Sequence, residues 1–358
     1  MAKFRNLVFE GGGVWGIAYQ GVLSELVEQK AIDFSELDRI GGASAGAITA
    51  CLLAVGYKPE EMGALLARTD FREFQDSSFG AVKDVSRLLN EYGWFKGAKF
   101  SKWIRKQISR KIKELSTTAR IKDPVLRPTF RELIAWQGKL ARKGLKLPQL
   151  YVVGSNLSKQ RREIYSGERT HTPALMIDDA VRRSMSIPLY FACIRNLQKD
   201  VLVDGGVTWN YPVNLFDHSK YLSADRFGKP IAYANHDKQV FNTQTLGFRL
   251  DTPSEIAAGR GNWANAEQDI DNILDYAAAL VTFIRAIANK SHLHKNDFSR
   301  TVIVDVGDMI KFTDFKLSDE QQEFLVEAGK QGVRNYLKWQ QSKRGQNDLA
   351  RIYKAMAT

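Results

Sequence analysis

One serine of the chain lies in a glycine-flanked pentapeptide of the kind that presents a nucleophile. Gly42-Ala43-Ser44-Ala45-Gly46 has the pattern G-x-S-x-G. Small residues around the serine let a strand turn sharply into a helix and hold the hydroxyl on a strained tip. The dipole of the following helix favours negative charge there, so the motif predicts acyl transfer with Ser44 as the nucleophile. Taken alone, the same residues also fit a glycine-rich turn with an idle serine.

Three consecutive glycines, Gly11-Gly12-Gly13, follow an apolar stretch near the start of the chain. Their backbone N–H groups can point at one spot and stabilise the oxyanion of a tetrahedral intermediate. A second interpretation uses Gly11, Gly13 and Gly16 as the G-x-G-x-x-G loop of a dinucleotide-binding oxidoreductase, with Asp33 as the ribose-binding acid. The position of Asp33 weakens this alternative, because it precedes the second apolar run instead of ending it.

An aspartate with two glycines, Asp204-Gly205-Gly206, closes the apolar run Val201-Leu202-Val203. A carboxylate at the carboxyl end of a strand is well placed in an active-site crevice. Hydrogen-bonded to the serine hydroxyl, Asp204 can act directly as the general base. By itself, the same tripeptide is more often an ordinary turn.

The histidines offer an alternative base, and His236 is the best placed for a conventional triad. We expect instead that all five are ordinary surface or loop residues. His292-x-His294 lacks a second pair of ligands nearby, and no calcium-loop pattern occurs, so we expect no metal ion and no cofactor. The five histidines of the chain are His171, His218, His236, His292 and His294.

In chain order, these motifs resemble those of the patatin-like phospholipase family. The resemblance lies in Gly-Gly-Gly-Val-Trp-Gly at residues 11–16, Gly-Ala-Ser-Ala-Gly at 42–46 and Asp-Gly-Gly at 204–206. It covers about residues 4–215, with a looser similarity at 313–329. Weaker similarities are found at residues 129–133, 155–157, 181–191 and 210–213.

The resemblance implies a Ser44–Asp204 dyad that works without histidine and hydrolyses the acyl esters of lipids or phospholipids. It also implies an oxyanion hole in the glycine loop and a fold that is a three-layer α/β/α sandwich. Trp15 is a departure, because the family usually has Arg or Lys there; a role for that charge in loop anchoring or headgroup binding is therefore in doubt. The glycines that support the motifs are Gly16, Gly42, Gly46, Gly205 and Gly206.

The elements that must position these residues repeat early in the chain. A strand, a glycine turn and a helix follow one another twice within the first 56 residues, which favours a largely parallel sheet flanked by helices. Apolar spacing predicts helices at 16–30, 45–55 and 265–289, and a capping box at Ser318 opens another that runs to about 339. Further strands are predicted at 150–154, 162–165, 201–203, 246–250 and 301–306.

Length and composition indicate one α/β domain rather than several. The 358 residues are 44% hydrophobic and 26% charged, which is ordinary for a globular chain. We expect a catalytic core at 1–215, with a basic helical insertion at about 70–147, and a continuation of the same domain with a helical extension at 216–358. Two cysteines make no disulfide framework, and no secretory signal or membrane span is recognised, so a cytoplasmic location is expected.

Positive charge is concentrated in one block. Residues 96–146 hold sixteen lysines and arginines against three acids, a net of +13, whereas the whole chain carries +12. One predicted helix in this block, at 99–115, has an apolar face that includes Trp103 and a basic face with Lys102, Arg105, Lys106 and Arg110. Such a helix can lie on an anionic membrane surface, or it can pack on the core and leave its charges in water. The block matches no nucleic-acid motif, so a nucleic-acid partner is not expected. A non-catalytic membrane- or partner-binding protein stays as a further alternative to the hydrolase.

Overall fold

A single large sheet runs through the chain. In this computed structural model, residues 4–76, 81–222, 231–232, 240–259 and 270–357 are described. The sheet has the order β12-β11-β1-β2-β4-β8-β7, and β5 lies beside β4. Its strands are β1 (Asn6–Phe9), β2 (Arg39–Ala43), β4 (Gln149–Asn156), β5 (Arg161–Ser166), β7 (Ile194–Arg195), β8 (Val201–Asp204), β11 (Thr245–Asp251) and β12 (Thr301–Asp305). Two small pairs are formed by β3 (Gly93–Phe95) with β6 (Leu189–Phe191) and by β9 (Ile231–Ala232) with β10 (Val240–Phe241).

The five strands β12, β11, β1, β2 and β4 are parallel to one another, whereas β5 and β8 run antiparallel to β4. The prediction of a mainly parallel sheet flanked by helices is thus confirmed. β11 pairs with β1 near the centre of the sheet, so the chain beyond residue 216 completes the same sheet that the first motifs occupy.

Both faces of the sheet are buried, because alternating side chains along its strands belong to different hydrophobic clusters. Leu7 and Phe9 of β1 join the larger hydrophobic cluster, whereas Val8 between them joins a smaller cluster with Trp209 and Phe216 on the opposite face. Successive side chains of a strand point to opposite faces, so this division shows helical or loop layers on both sides.

Helices occupy both sides of the sheet and the connections between strands. They are α1 (Ala18–Glu28), α2 (Ala45–Ala54), α3 (Pro59–Ala67), α4 (Ala81–Glu91), α5 (Ala98–Thr118), α6 (Phe130–Ala141), α7 (Ile177–Ser184), α8 (Gly206–Trp209), α9 (Pro253–Gly259), α10 (Ile273–His292), α11 (Asp319–Gln341) and α12 (Lys343–Ala357). The predicted capping box is present, since the Ser318 hydroxyl accepts a hydrogen bond from the Gln321 N–H. None of the helices, as far as the described residues go, is long and apolar enough to span a membrane.

Most predicted boundaries shift by a few residues. The helix predicted at 265–289 is observed at Ile273–His292, and residues 265–269 lie outside the described residues. β2 continues through Gly41 and Gly42 to Ala43, directly before Ser44. The helix predicted from Gly16 begins at Ala18, because residues 13–17 form a 3-10 turn after the glycine loop.

Candidate active site

Ser44 lies at the sharp turn between β2 and α2. Its φ of 50° is in the left-handed region, where a side chain other than glycine costs about 1–3 kcal/mol. The Ser44 N–H donates to Ser184 Oγ at 2.9 Å, and the Ser184 hydroxyl donates to the Val153 carbonyl at 2.5 Å. These bonds hold the strained residue in place, so the sharp turn predicted from the G-x-S-x-G motif is present.

The strand register brings Asp204 to the same spot. β5 covers one edge of β4 along residues 151–156, so β2 and β8 must share its other edge. Ala43 at the end of β2 pairs with Val153, and Asp204 at the end of antiparallel β8 pairs with the next residue, Gly154. The two strands therefore meet end to end, and a Cβ built on Gly205 would lie 3.1 Å from Ala43 Cβ.

Asp204 is a buried carboxylate whose charge is only partly compensated. Burial raises its pKa to about 6, against lowering contributions from a hydrogen bond with Ser44, the Gly206 N–H and the charge of Arg285. Oδ1 accepts the Gly206 N–H at 2.7 Å. Oδ2 has no partner of standard hydrogen-bond geometry among the described residues, although Ser44 is close enough to affect the pKa. Long contacts of this kind are common between catalytic groups before substrate binds.

The glycine loop lies against the Ser44 turn. A Cβ on Gly11 would come within 2.9 Å of Ser44 Cβ, so only glycine fits there. The Gly11 N–H already donates to the Asn210 carbonyl at 3.1 Å, which argues against the expectation that it serves as an oxyanion donor. Within the described part of the chain, the N–H groups of Gly12 and Gly13 donate to no other residue.

The supporting glycines allow this close packing. A Cβ on Gly16 would lie 2.8 Å from Ala45 Cβ, and one on Gly46 would lie 2.3 Å from the Phe9 carbonyl oxygen. A Cβ on Gly42 would lie 2.5 Å from the Gly46 carbonyl carbon, and one on Gly206 would lie 2.6 Å from Asn210 Oδ1. The three motifs, which are far apart in sequence, thus form one compact site.

The family model for patatin-like phospholipases matches residues 7–217, which include all three motifs. This chain belongs to the patatin-like phospholipase family. It is therefore a lipid acyl hydrolase by family. An uncharacterized protein of Acanthamoeba polyphaga mimivirus is 26% identical over 339 residues, covering 94% of each chain. Another uncharacterized protein, YqhO of Bacillus subtilis, is 27% identical over 344 residues, covering 92% of this chain and 97% of YqhO.

One further relative and one solved structure are also similar to this chain. The probable lipid hydrolase 463L of Invertebrate iridescent virus 6 is 26% identical over 212 residues, or 59% of this chain and 63% of the viral protein. The crystal structure of VipD from Legionella pneumophila superimposes with a TM-score of 0.61 at 17% identity, over 94% of this chain and 67% of VipD. The second likeness concerns the fold alone.

Behind the glycine loop, this patatin-like chain has a buried acid that no sequence motif marks. Glu10 is fully buried, and its Oε1 accepts hydrogen bonds from the side-chain amides of Asn210 and Asn289, each at 2.7 Å. Its Oε2 accepts the Leu250 N–H at 2.7 Å. Burial raises the pKa of Glu10 despite these donors and the nearby arginines Arg285 and Arg249.

Asn210 connects this acid to both halves of the site. The side-chain amide of Asn210 also donates to the Gly11 carbonyl at 3.1 Å, while the backbone carbonyl of Asn210 accepts the Gly11 N–H. Because Asn210 follows α8, directly after the Asp204 turn, it fixes the glycine loop relative to Asp204. The one hint in the sequence was its place in the weak family similarity at residues 210–213.

Positive charge reaches the glycine loop from α10. The Arg285 guanidinium lies over the Trp15 ring at 5.4 Å and over the Phe312 ring at 5.6 Å. Trp15 is itself buried, and its indole N–H donates to the Ile310 carbonyl at 2.7 Å. Arg285 and Asn289 stand four residues apart on a mostly apolar helix, a spacing that predicts a shared face but does not show what that face meets.

The basic helix around Trp103 is present as α5, but its apolar face packs on the core. Trp103 contacts Phe74 and Phe100 at ring-centroid distances of 5.4 and 6.0 Å. It also lines a cavity of about 40 Å³ whose other walls include Gly13, Ala45 and Leu52. The Trp103 ring therefore forms part of the wall of an apolar cavity beside the glycine loop, which argues against the expectation that it contacts a membrane surface.

The alternatives to a Ser–Asp site gain little from the structure. His171 Nδ1 lies 2.6 Å from Ser166 Oγ, and His218 accepts the Lys220 N–H at 3.1 Å; His236 lies outside the described residues. No group of three potential metal ligands is found among residues the structure describes. Asp33 accepts the Ser35 N–H ahead of β2, away from the strand end where a dinucleotide ribose would bind.

Proposed function

We propose that this protein is a serine hydrolase that cleaves fatty-acyl esters of lipids or phospholipids with Ser44 as nucleophile and Asp204 as base. The supporting observation is the end-to-end meeting of β2 and β8 on one edge of β4: Ala43, directly before Ser44, pairs with Val153, and Asp204 pairs with Gly154. Nothing in such an arrangement requires a histidine, because a carboxylate beside the hydroxyl can take its proton directly.

The proposed reaction has two stages. Ser44 Oγ attacks the ester carbonyl while its proton passes to Asp204, and collapse of the tetrahedral intermediate expels the alcohol, which takes that proton. The fatty acid is then held as an ester of Ser44. A water molecule gives its proton to Asp204 and attacks this ester, so the fatty acid leaves and the proton returns to Ser44 Oγ.

The oxyanion hole of this proposal consists of the Gly12 and Gly13 N–H groups. They carry no other hydrogen bond among the described residues, and Gly11 next to them packs on Ser44 Cβ. Donors fixed in place before the reaction stabilise developing charge without reorganising. Gly11 itself is proposed to provide space, since its N–H is bound to Asn210.

Ser44→Ala and Asp204→Asn test the proposed dyad. We expect each to lower ester hydrolysis by about a thousandfold or more, because each removes a group that acts in the chemical step. A fluorophosphonate probe should label the unmodified protein and leave Ser44→Ala unlabelled. Ser24→Ala in α1, whose hydroxyl donates to the Gly21 carbonyl, is the matched control and should keep full activity. Substantial turnover by folded Ser44→Ala protein would refute the assignment.

We also propose a peripheral partner, the anionic surface of a membrane. Fourteen of the sixteen lysines and arginines at 96–146 are exposed; we call these fourteen the basic surface. Ser109 of α5 donates to the Leu126 carbonyl at 2.8 Å, so exposed Val125 and Leu126 lie beside the charges of that helix. Exposed apolar side chains next to clustered cations suit a lipid interface better than a nucleic acid.

A further inference from the structure

Four buried polar atoms without partners gather at this site. In the described part of the chain, seven buried side-chain nitrogen or oxygen atoms have no hydrogen-bond partner. Four of the seven belong to the neighbourhood of Glu10 and Ser44: Asp204 Oδ2, Arg249 Nε, Arg285 Nε and Asn289 Oδ1. Buried polar groups in folded proteins are almost always satisfied, so such a concentration indicates a place where a polar ligand is received.

Arg285 is the cation of this group that stays least compensated. Its side chain is 7% exposed, and the nearest carboxylate oxygen of the described residues, Glu10 Oε1, lies 3.9 Å from Nη2, beyond hydrogen-bond distance. Arg300, which is also buried, shows the usual arrangement: it donates to Asp217 and Asp297 at 2.6 Å each. Burying a guanidinium without such partners is costly, and an incoming anion would remove that cost.

Arg285 lies close to the glycine loop and acts electrostatically on Asp204. It covers the ring of Trp15, which is two residues beyond Gly13 in the glycine loop. Its charge also contributes to the pKa of Asp204. In a glycerophospholipid, the phosphate is only a few bonds from the scissile ester, so an ester held at Ser44 carries a phosphate into this neighbourhood.

We propose that Arg285 binds the phosphate group of a phospholipid whose acyl ester is held at Ser44, and so selects phospholipids over neutral acylglycerols. This inference rests on the proposed acyl hydrolase and adds its substrate class. The planar guanidinium, with a free Nε and aromatic rings against it, suits a phosphate better than a lysine would, because it can donate two parallel hydrogen bonds.

The test compares two soluble substrates with the same short acyl chains, a phosphatidylcholine and the corresponding diacylglycerol. For Arg285→Gln we expect kcat/KM on the phosphatidylcholine to fall about ten- to a hundredfold, the usual range for a lost hydrogen bond to a charged group, and kcat/KM on the diacylglycerol to change little. Arg285→Lys should retain part of the preference. Lys311→Gln, which removes an exposed cation 3.9 Å from Asp275 of α10, is the control and should leave the ratio unchanged.

Two further measurements separate the outcomes. Inorganic phosphate at constant ionic strength should inhibit diacylglycerol hydrolysis by the unmodified protein and not by Arg285→Gln, if a free phosphate uses the same site as the lipid. An equal loss on both substrates, with unchanged fluorophosphonate labelling and thermal midpoint, would overturn the proposal and make Arg285 a residue that positions the loop. Failure of the unmodified protein on both substrates would instead contradict the proposed hydrolase.

Discussion

At the scale of single residues, the proposed chemistry depends on a carboxylate in a buried position that disfavours its charge. Asp204 is buried, and burial raises its pKa to about 6. A carboxylate with a raised pKa is a stronger base, and it is still mainly ionised at neutral pH. The same burial that costs stability therefore gives the proposed base a useful strength without a histidine.

The first prediction is a pH dependence of hydrolysis. As pH rises through about 6, Asp204 loses its proton and becomes able to accept the one from Ser44, so kcat/KM should rise and then level off. Initial rates on a soluble short-chain ester at constant ionic strength measure this. Any one of the five histidines changed to Ala should leave the profile unchanged; loss of activity comparable to Ser44→Ala in a folded variant would favour a triad.

The second prediction concerns stability. Because the pKa of Asp204 is higher in the folded chain than its ordinary value of 3.8, its ionisation opposes folding. The penalty is absent below 3.8, where the carboxyl is protonated in both states, and is complete above about 6. Asp204→Asn should therefore raise the free energy of unfolding by roughly 1–3 kcal/mol near pH 7.5. Urea denaturation gives this value, and the gain should shrink near pH 4.5; an equal gain at both pH values would rule out this cause.

Whether a residue of the site could be predicted depends on how far apart along the chain the interacting residues lie. Ser44, Asp204 and the three loop glycines stand in local motifs, so their roles could be proposed from a few neighbouring residues. Glu10, Asn289 and Arg285 could not, because Glu10 and Asn289 meet across 279 positions of the chain. A buried polar network of this kind has no short signature, and only the packing of α10 on the site reveals it.

At the scale of elements, the position of the glycine loop is fixed from several sides. Val14 N–H donates to the Phe312 carbonyl at 3.0 Å, Gly11 pairs with Asn210, and the loop leads directly into the 3-10 turn before α1. Gly13 has a φ of +54°, and a Cβ there would lie 2.1 Å from the Phe312 oxygen. The loop therefore has little freedom to accept a side chain.

Gly13→Ala is the third prediction. The substitution must displace the loop and its proposed donors, so kcat should fall about a hundredfold, as when an oxyanion donor is lost, with little change in KM. Gly138→Ala is the matched control: it lies inside α6 with nothing within 4 Å of the added Cβ, and should stabilise the protein by about 1 kcal/mol at unchanged activity. Full activity of Gly13→Ala would exclude this loop as the oxyanion hole.

Strand direction was harder to predict than strand position. The sequence predicts β8 within one residue and a mainly parallel sheet, but it does not give the direction of this strand. Observed β8 is antiparallel to β4 and reaches Ser44 because it abuts β2 end to end. Apolar pattern and length indicate a strand, but the direction depends on the path of the intervening chain, which includes α7 and β6 and has no such periodicity.

At the scale of the whole molecule, the positive charge is concentrated in one segment of the chain that includes neither Ser44 nor Asp204. The block at 96–146 carries a net +13, and the remaining residues together carry −1. Twelve of its sixteen cations have no carboxylate within 4.0 Å among the described residues; Arg105, Lys111, Arg127 and Lys146 do. Few of these cations therefore form ion pairs, and most of them lie at the surface. Helix α5 carries many of them, and its opposite, apolar face packs beside the glycine loop.

The last prediction tests the basic surface as a membrane contact. Each cation near an anionic bilayer adds about 1 kcal/mol of attraction, which falls off within a Debye length of about 10 Å at 0.1 M salt. Changing Lys102, Lys106, Arg110 and Lys113 to Gln should weaken binding to anionic liposomes about a hundredfold or more; Arg105 is spared because it pairs with Asp178 at 2.8 Å. Changing exposed Lys311, Lys316, Lys338 and Lys343 to Gln alters net charge equally and should have far less effect. Added salt should mimic the first set and leave short-chain ester turnover steady, whereas equal binding to neutral and anionic liposomes would show that these cations are only a solvated face.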